Sequence, residues 1–362
     1  MRPSHVEINL KNLEKNIETT REKLGDKKLL VVVKADAYGH GAVAVSIRAS
    51  AMGVDFLGVG IVEEGIELKN AGIQTPIIIL SQELEERLEE IVRYNLIPTV
   101  CSRNFLEGLN REGKRQKKIV DLFVMLDTGM GRYGVPPDEF IYFLRLIKKM
   151  EWVKIQGVMS HFPVAGVDDQ FTKEQISKFE TLIKAAESQG MSIPIKSMAN
   201  SAAFLAEENS IFDMVRLGLI IYGISPTYDP NPMGFHPVMK VKSKISFIKT
   251  IPPGHSVSYS RSFIAKKPTT IATVPIGYAD GYDRKLSNKG WMMVRGMRAP
   301  VIGDVTMDTT MIDVTDIPEV KIGDEVIVLD ESISAWDIAR TIDSIPYEVI
   351  SRMGKRLPRL YI

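Results

Sequence analysis

The sequence predicts an N-terminal (β/α)8 barrel followed by a mostly β domain. Three observations carry that prediction. Short β-branched runs alternate with longer amphipathic stretches from Leu29 onward, eight such runs fall between Leu29 and Arg216, and the texture changes abruptly after Ser225. A chain of 362 residues is long enough for two packed units, each with a sizeable core.

The eight strands are expected near residues 29–33, 55–59, 76–80, 97–100, 119–125, 153–159, 193–198 and 212–216. Helix signals fill the intervals. Glu63-Glu64 opens one helix, Gln82-Glu83 through Ile91 is apolar at helical spacing, Pro136-Pro137-Asp138 starts another, and 172–187 is apolar at Ile176, Phe179, Leu182 and Ile183. A strand followed each time by a helix is the grammar of parallel βαβ units. Eight such units suit a closed barrel, although a doubly wound open sheet shows the same alternation. The segment after the first strand, Lys34-Ala-Asp-Ala-Tyr-Gly-His-Gly41, is not the Gly-x-Gly-x-x-Gly of a dinucleotide site, which weakens the open-sheet alternative.

After Ser225, Pro226, Pro230, Pro232 and Pro237 crowd a short stretch, and helical periodicity is absent until about Ser334. Strands are expected in Val238–Ile248, Thr270–Pro275, Trp291–Val294, Thr310–Val314 and Glu325–Leu329, separated by Gly and Pro turns. The two domains are therefore read as residues 1–230 and 231–362.

Bulk charge names no partner. Lys plus Arg (46) against Asp plus Glu (45) leaves +1, so neither nucleic acid nor an anionic membrane is an expected partner. The single cysteine, Cys101, excludes an intramolecular disulfide framework and a multi-cysteine metal site, and no metal is expected. The N-terminus carries no export signal, and the longest apolar runs, such as Leu29–Val33, fall far below the roughly 18 residues that span a bilayer. A reducing, cytoplasmic setting is the expectation. The basic run from Lys114 to Lys118 reads as a solvated loop.

In a barrel the chemistry sits where strands end, so the polar residues just past the apolar runs are the candidates. They are Lys34, Asp127 with Arg132, His161, Asn200 with Ser201, and Arg216. An amine, an imidazole, a hydroxyl and a guanidinium gathered at one barrel mouth would be costly to bury without a ligand. Desolvation lowers the pKa of an amine, and a neutral amine attacks an aldehyde to form a Schiff base. Pyridoxal phosphate is the obvious aldehyde. Its phosphate needs hydroxyls and backbone amides, which Ser201 and Arg216-Leu-Gly218-Leu219 supply; Asn200 and Ser201 read equally well as N-caps of the following helix.

At this point the residues resemble a known family. Val32-Val-Lys34-Ala-Asp-Ala-Tyr38-Gly-His-Gly41 is similar to the cofactor-lysine signature of bacterial alanine racemases, the fold-type III pyridoxal phosphate enzymes. Leu126-Asp-Thr-Gly-Met-Gly-Arg132, Ser160-His161-Phe, Ala199-Asn-Ser201-Ala and Met214-Val-Arg216-Leu-Gly-Leu-Ile-Ile-Tyr222-Gly follow in the family's order. Val257-Ser-Tyr259, Pro275-Ile-Gly-Tyr278-Ala-Asp-Gly281 and Met307-Asp308 extend the match through the second domain.

The resemblance implies a TIM barrel plus a C-terminal β domain, working as a head-to-tail homodimer whose active sites take residues from both subunits. Lys34 would bind the cofactor covalently, with Tyr259 of the partner subunit facing it across the ring. Tyr38, Ser201, Gly218 and Leu219 would surround the phosphate. Arg216 would contact the pyridine nitrogen with His161 behind it, and Arg132 would position the substrate carboxylate. Tyr278 and the Met307 backbone would line the substrate end.

The expected function is interconversion of L- and D-alanine, supplying D-alanine for cell-wall peptidoglycan. Racemisation takes a proton from one face of the amino acid and returns one to the other, so two acid–base groups on opposite faces are required, and Lys34 and Tyr259 fill those roles. A free phenol titrates near about 10, so phenolate chemistry at neutral pH calls for positive neighbours, for which the His161 and Arg216 pair is the candidate.

Three positions depart from the family's best-known pattern. Met125 stands where many relatives carry a carbamylated lysine that orients the carboxylate-binding arginine, Thr306 stands where a cysteine is common, and Lys355 stands where a tyrosine often reaches the phosphate. These motivate an alternative, a racemase of broader or different preference, for example toward lysine. A basic amino acid decarboxylase lacks support because no cysteine-containing motif occurs in the β domain, and a pyridoxal phosphate carrier protein would lack that domain altogether.

Overall fold

Residues 2–227 and 233–362 are described by the computed structural model, so the division expected at 230/231 lies outside the described residues. The chain opens with a strand, β1 (His5–Ile8), and passes through the helix Leu10–Leu24 before reaching the barrel. The barrel strands are β2 (Lys28–Val32), β3 (Phe56–Val59), β4 (Ile77–Ile79), β5 (Ile97–Val100), β6 (Val120–Met125), β7 (Val153–Met159), β8 (Ile195–Ser197) and β9 (Met214–Leu217). Each overlaps one of the eight expected runs.

These strands are parallel, in the order β8-β7-β6-β5-β4-β3-β2-β9. The ends meet through backbone bonds from Asp213 N–H to Lys196 O (3.0 Å) and from Arg216 N–H to Ala199 O (2.9 Å), which closes the sheet and removes the open-sheet alternative. Strand alternation divides the apolar residues between two cores. On β2, Leu29 and Val31 pack outward against helices, whereas Leu30 and Val32 point inward to meet Phe56, Ile78, Phe123, Met125 and Met159. Burial on both faces is why these strands read as continuous apolar runs.

The helix Val62–Asn70 carries Glu63 and Glu64 in its first turn, where carboxylates favour the positive end of the helix dipole. Asp168 caps Asp169–Ser188 by accepting from Phe171 N–H at 3.0 Å. The Pro136-Pro137-Asp138 segment forms a turn only, and its helix begins later, at Phe140–Lys148; the paired prolines lack amide donors, and Pro137 disfavours helical geometry at Pro136.

The second domain contains β10 (Met239–Lys244), β11 (Phe247–Ile251), β12 (Ser256–Val257), β13 (Phe263–Ile264), β14 (Thr269–Val274), β15 (Trp291–Val294), β16 (Met297–Pro300), β17 (Thr310–Asp313), β18 (Glu325–Leu329) and β19 (Arg359–Tyr361). A six-stranded sheet runs β16-β15-β18-β10-β1-β19, a three-stranded sheet runs β11-β14-β17, and β12 and β13 form a hairpin. The single run expected at Val238–Ile248 is two strands. Ile245 N–H donates to Asp324 O and the next amide, Ser246 N–H, donates to Thr273 O, so the chain changes sheets there.

The strand β1 is not visible in the sequence pattern and does not sit with the barrel that follows it. It pairs antiparallel with β10 and parallel with β19, burying Val6 and Ile8 in the second domain's sheet. Among the described residues, no helix is long and apolar enough to cross a membrane.

Candidate active site

The inward-facing rows of β2 and β7 run on past the strand ends as Lys34 and His161, and that of β9 carries Arg216 within the strand. These three line a cavity of about 460 Å³ at the barrel mouth, together with Tyr38, Met125, Arg132, Tyr133, Ser201, Gly218 and Leu219. The second domain adds Ile345 and Tyr347 to the same wall.

Lys34 is followed by four non-glycine residues, Ala35 to Tyr38, in left-handed conformation with φ of 51–54° and ψ of 40–52°. Such a turn costs roughly 1–2 kcal/mol per residue. It persists because it is clamped at both ends. Ala35 N–H donates to Glu64 Oε1 (2.6 Å), Ala42 N–H donates to Asp36 Oδ1 (2.7 Å), and His40 Nδ1–H donates to Ala37 O (2.9 Å) and Tyr38 O (3.1 Å). His40 is fully buried, which pushes its pKa down to about 4 and keeps the ring neutral.

The turn brings Tyr38 against Gly218, where a Cβ would lie 2.7 Å from the phenol, so only glycine fits. Tyr38 also meets Tyr222 and Tyr347 edge-on, at 5.3 and 5.9 Å between ring centroids. Burial pushes the Tyr38 phenol well above the usual value, leaving it a neutral donor. Asn200 is the N-cap of Ser201–Ala206, accepting from Ala203 N–H at 3.0 Å. Ser201 is thereby free of capping, and its hydroxyl accepts from Gly218 N–H at 3.2 Å.

Arg216 is held by the barrel itself. Nη1 donates to Ser197 O (3.0 Å) and Oγ (2.7 Å), while Nη2 donates to Ser160 O (2.6 Å) and to His161 Nδ1 (3.3 Å). Burial lowers its pKa to about 10, so it stays charged at neutral pH. His161 is driven to about 3 by burial and then by Arg216. Of the His161 and Arg216 pair, the positive charge therefore sits on Arg216, and His161 is the neutral acceptor of its Nη2–H.

The Lys34 amine is lowered chiefly by burial and further by Arg132 and Arg216, with Glu64 opposing. Met125 is buried in the wall, and what orients Arg132 is its neighbour. The Arg132 guanidinium stacks on Tyr133 with Cζ 4.8 Å from the ring centroid, and Nη2 donates to Tyr133 Oη (3.3 Å), which in turn donates to Leu80 O (2.6 Å). Among the described residues, no Asp or Glu lines the cavity, which faces its contents with one amine and two guanidiniums.

The remaining expected residues lie elsewhere on the chain. Tyr259, Tyr278 and Met307 are exposed by 73, 43 and 53 %, and none lines the Lys34 cavity. Tyr259 borders a separate cavity of about 540 Å³ with Phe247, Lys249, Thr273 and Thr306. Tyr278 N–H donates to Thr306 O (3.0 Å) and Ala279 N–H to Met307 O (3.1 Å), locking those two turns together. Thr306 spends its hydroxyl on Thr309 O at 2.8 Å. Lys355 is exposed and outside the wall, where Ile345 and Tyr347 stand instead. Tyr133 and Tyr347 were not legible as site residues: the first follows Arg132 directly, a cue available in the sequence, whereas the second enters through tertiary packing.

The fold and the mouth together define a two-domain barrel protein with a buried strand-end amine in its barrel cavity and further polar residues on an exposed face of its second domain. Family models for the alanine racemase N-terminal and C-terminal domains match residues 8–226 and 238–361. The chain is 41% identical to an alanine racemase of Halothermothrix orenii, over 99% of this chain and 97% of that one. Among solved structures, an alanine racemase of Clostridium difficile 630 in complex with cycloserine superposes with a TM-score of 0.94 at 33% identity, covering 100% of this chain and 96% of that chain. One from Bartonella henselae, described with covalently bound pyridoxal phosphate, gives 0.91 at 26% identity, with both chains covered in full. The chain belongs to the alanine racemase family and is an isomerase.

Proposed function

We propose that the chain interconverts L- and D-alanine with pyridoxal 5'-phosphate bound covalently at Lys34, as a homodimer in which one subunit's barrel mouth faces the other's second domain. One observation carries this reading: a cavity holding an amine and two guanidiniums has, among the described residues, no acid in its wall, so it suits a ligand bearing a phosphate and a carboxylate. The residues present fit that group. Lys34 offers a desolvated amine for the aldehyde, and the Gly218 position, where a Cβ would strike Tyr38, leaves the Tyr38 and Ser201 hydroxyls beside the Gly218 and Leu219 backbone for the phosphate. Lys355, beyond the wall, would reach it only as a long point charge.

When bound, the cofactor supplies a conjugated electron sink that acidifies the Cα–H of the amino acid. Arg132, steadied by Tyr133, holds the substrate carboxylate. Arg216 does not readily release its protons, so it offers a ring nitrogen a hydrogen bond rather than a proton. Lys34 Nζ takes up or returns the proton on one face, and the partner subunit's Tyr259 does so at Oη on the other. Within one chain Tyr259 borders a different cavity from Lys34, which supports its supply by a second subunit. Tyr278 and Met307, locked together near it, close the substrate end. The D-alanine formed serves cell-wall peptidoglycan, made from cytoplasmic precursors.

The test is purified protein incubated with pyridoxal phosphate and L-alanine, with the visible spectrum recorded and D-alanine assayed chirally. Visible absorbance and D-alanine are expected, and Lys34→Ala loses both; a colourless wild-type protein would sink the reading. A racemase of different preference is the second reading, favoured by Met125 in the cavity wall and Thr306 beside Tyr259. A higher kcat/KM on L-lysine than on L-alanine would establish it in place of the first.

A further inference from the structure

The turn that follows Lys34 depends on a residue outside the cavity. Glu64, on the helix Val62–Asn70, does not line the wall, yet its carboxylate spans two strand ends. Oε1 accepts from Ala35 N–H at 2.6 Å, immediately after Lys34, and Oε2 accepts from Gly60 N–H at 2.7 Å, immediately beyond β3. One side chain thereby ties the exit of β2 to the exit of β3. It does so at Ala35, the first of four consecutive left-handed non-glycine residues. A Cβ on Gly60 would lie 3.4 Å from Glu64 Oε2 and 3.5 Å from Lys34 Cβ, so the carboxylate and the lysine stem flank the same small space.

We infer that Glu64 is the positioning residue for Lys34: by bridging the Ala35 and Gly60 amides it fixes the direction in which the strand-end amine projects, and it is the acid that balances the cations around that amine. Among the described residues, the charges acting on Lys34 are those of Arg132 from the loop after β6, Arg216 on β9 and Glu64, while neutral His161 after β7 and the Tyr38, Tyr133 and Tyr347 phenols line the same cavity. Glu64 is the one negative member of that set. A glutamine in its place accepts from one amide only and turns an NH2 toward the other, opening the bridge while removing the charge.

The inference rests on the proposed chemistry at Lys34, and its test separates the two. Cofactor-free protein is mixed with pyridoxal 5'-phosphate across a pH series, and covalent capture is followed by visible absorbance and by borohydride trapping at Lys34. For Glu64→Gln, the plateau rate of capture is expected to fall about tenfold, as misaimed nucleophiles do. The midpoint of its pH profile should move to lower pH, because two guanidiniums then act on the amine unopposed. Glu64→Asp keeps the charge but is too short to span both amides, so it should hold the wild-type midpoint with a reduced plateau, and it carries the test if the glutamine variant does not fold. Wild-type plateau and midpoint in a folded variant would overturn the inference, as would a lower melting temperature with unaltered capture. Failure of the wild-type protein itself to capture the aldehyde at Lys34 would instead sink the proposed chemistry.

Discussion

The barrel mouth and the exposed face of the second domain each present a tyrosine on a strained turn, with opposite results. At the mouth, Ala35 to Tyr38 are left-handed, and the turn tucks Tyr38 against Gly218, Tyr222 and Tyr347. On the second domain, Ser258, Ser260 and Arg261 have φ of 64, 58 and 50°, and the turn projects Tyr259 into solvent. Both turns are anchored by carboxylates. Asp304 receives the Ser262 hydroxyl (2.6 Å) and Arg284 Nη2 (3.0 Å), while its backbone carbonyl receives the Ser258 hydroxyl (2.7 Å). Strain that hides a phenol is repaid by packing within the chain. The turn that exposes one is held by hydrogen bonds at Asp304 while its phenol stays unpacked, which suits the proposed delivery of Tyr259 to a second subunit.

The largest effects test whether those two surfaces form one site. Tyr259→Phe should retain the visible absorbance of the bound cofactor and lose racemisation by about 10²- to 10⁴-fold, the range for deleting a general acid–base group. Lys34→Ala is equally inactive and colourless. Refolding the two variants together should restore about a quarter of wild-type activity, since half of the random dimers are mixed and each has one intact site. No recovery on mixing would break the division of labour between subunits, and the comparison with it.

Acid stability comes next, and on the barrel side two buried histidines govern it. His161 titrates at about 3 and His40 at about 4 in the folded chain, against about 6.5 unfolded. Both are neutral in either state at pH 7. Below about pH 6.5 the unfolded chain takes up protons that the folded chain refuses, so stability is lost as pH falls; at pH 5 the loss is about 2 kcal/mol for each histidine. Denaturant titrations at pH 7 and 5 should show a smaller loss for His161→Gln, which keeps an acceptor for Arg216. On the second domain, Asp304→Asn should loosen the Tyr259 turn, lowering kcat about tenfold and the melting temperature slightly, with cofactor absorbance unchanged. Loss of that absorbance would mean the two regions are not independent within a chain.

The barrel was legible because parallel strands buried on both faces leave continuous apolar runs, and because Lys34, His161 and Arg216 stand where those runs stop. The second domain was legible as strands but not as sheets. A four-residue strand such as β1 carries too little pattern to be seen, and its pairing with β10 and β19 joins residues more than 200 positions apart. Charge states were equally out of reach. The motif places His161 beside Arg216 without saying which of the two carries the charge, and burial with Arg216 beside it is what lowers the imidazole's pKa. Glu64 read as a helix start, and its second role appears only when two strand ends converge on its carboxylate.

The smallest effect tests whether the barrel side orients its substrate arginine unaided. Met125 offers Arg132 no charge, and the partner that remains is Tyr133, whose hydroxyl accepts from Arg132 and donates to Leu80 O. Tyr133→Phe removes both bonds and keeps the stacked ring. A net hydrogen bond is worth about 1 kcal/mol, so KM for alanine should rise about fivefold while kcat changes by less than about twofold. Tyr133→Leu also removes the stacking surface and should raise KM further. An equal fall in kcat and kcat/KM would place the hydroxyl in the transition state instead of in substrate binding. Unchanged kinetics in both variants would mean that the Tyr133 contact is not what holds Arg132 for the proposed substrate carboxylate.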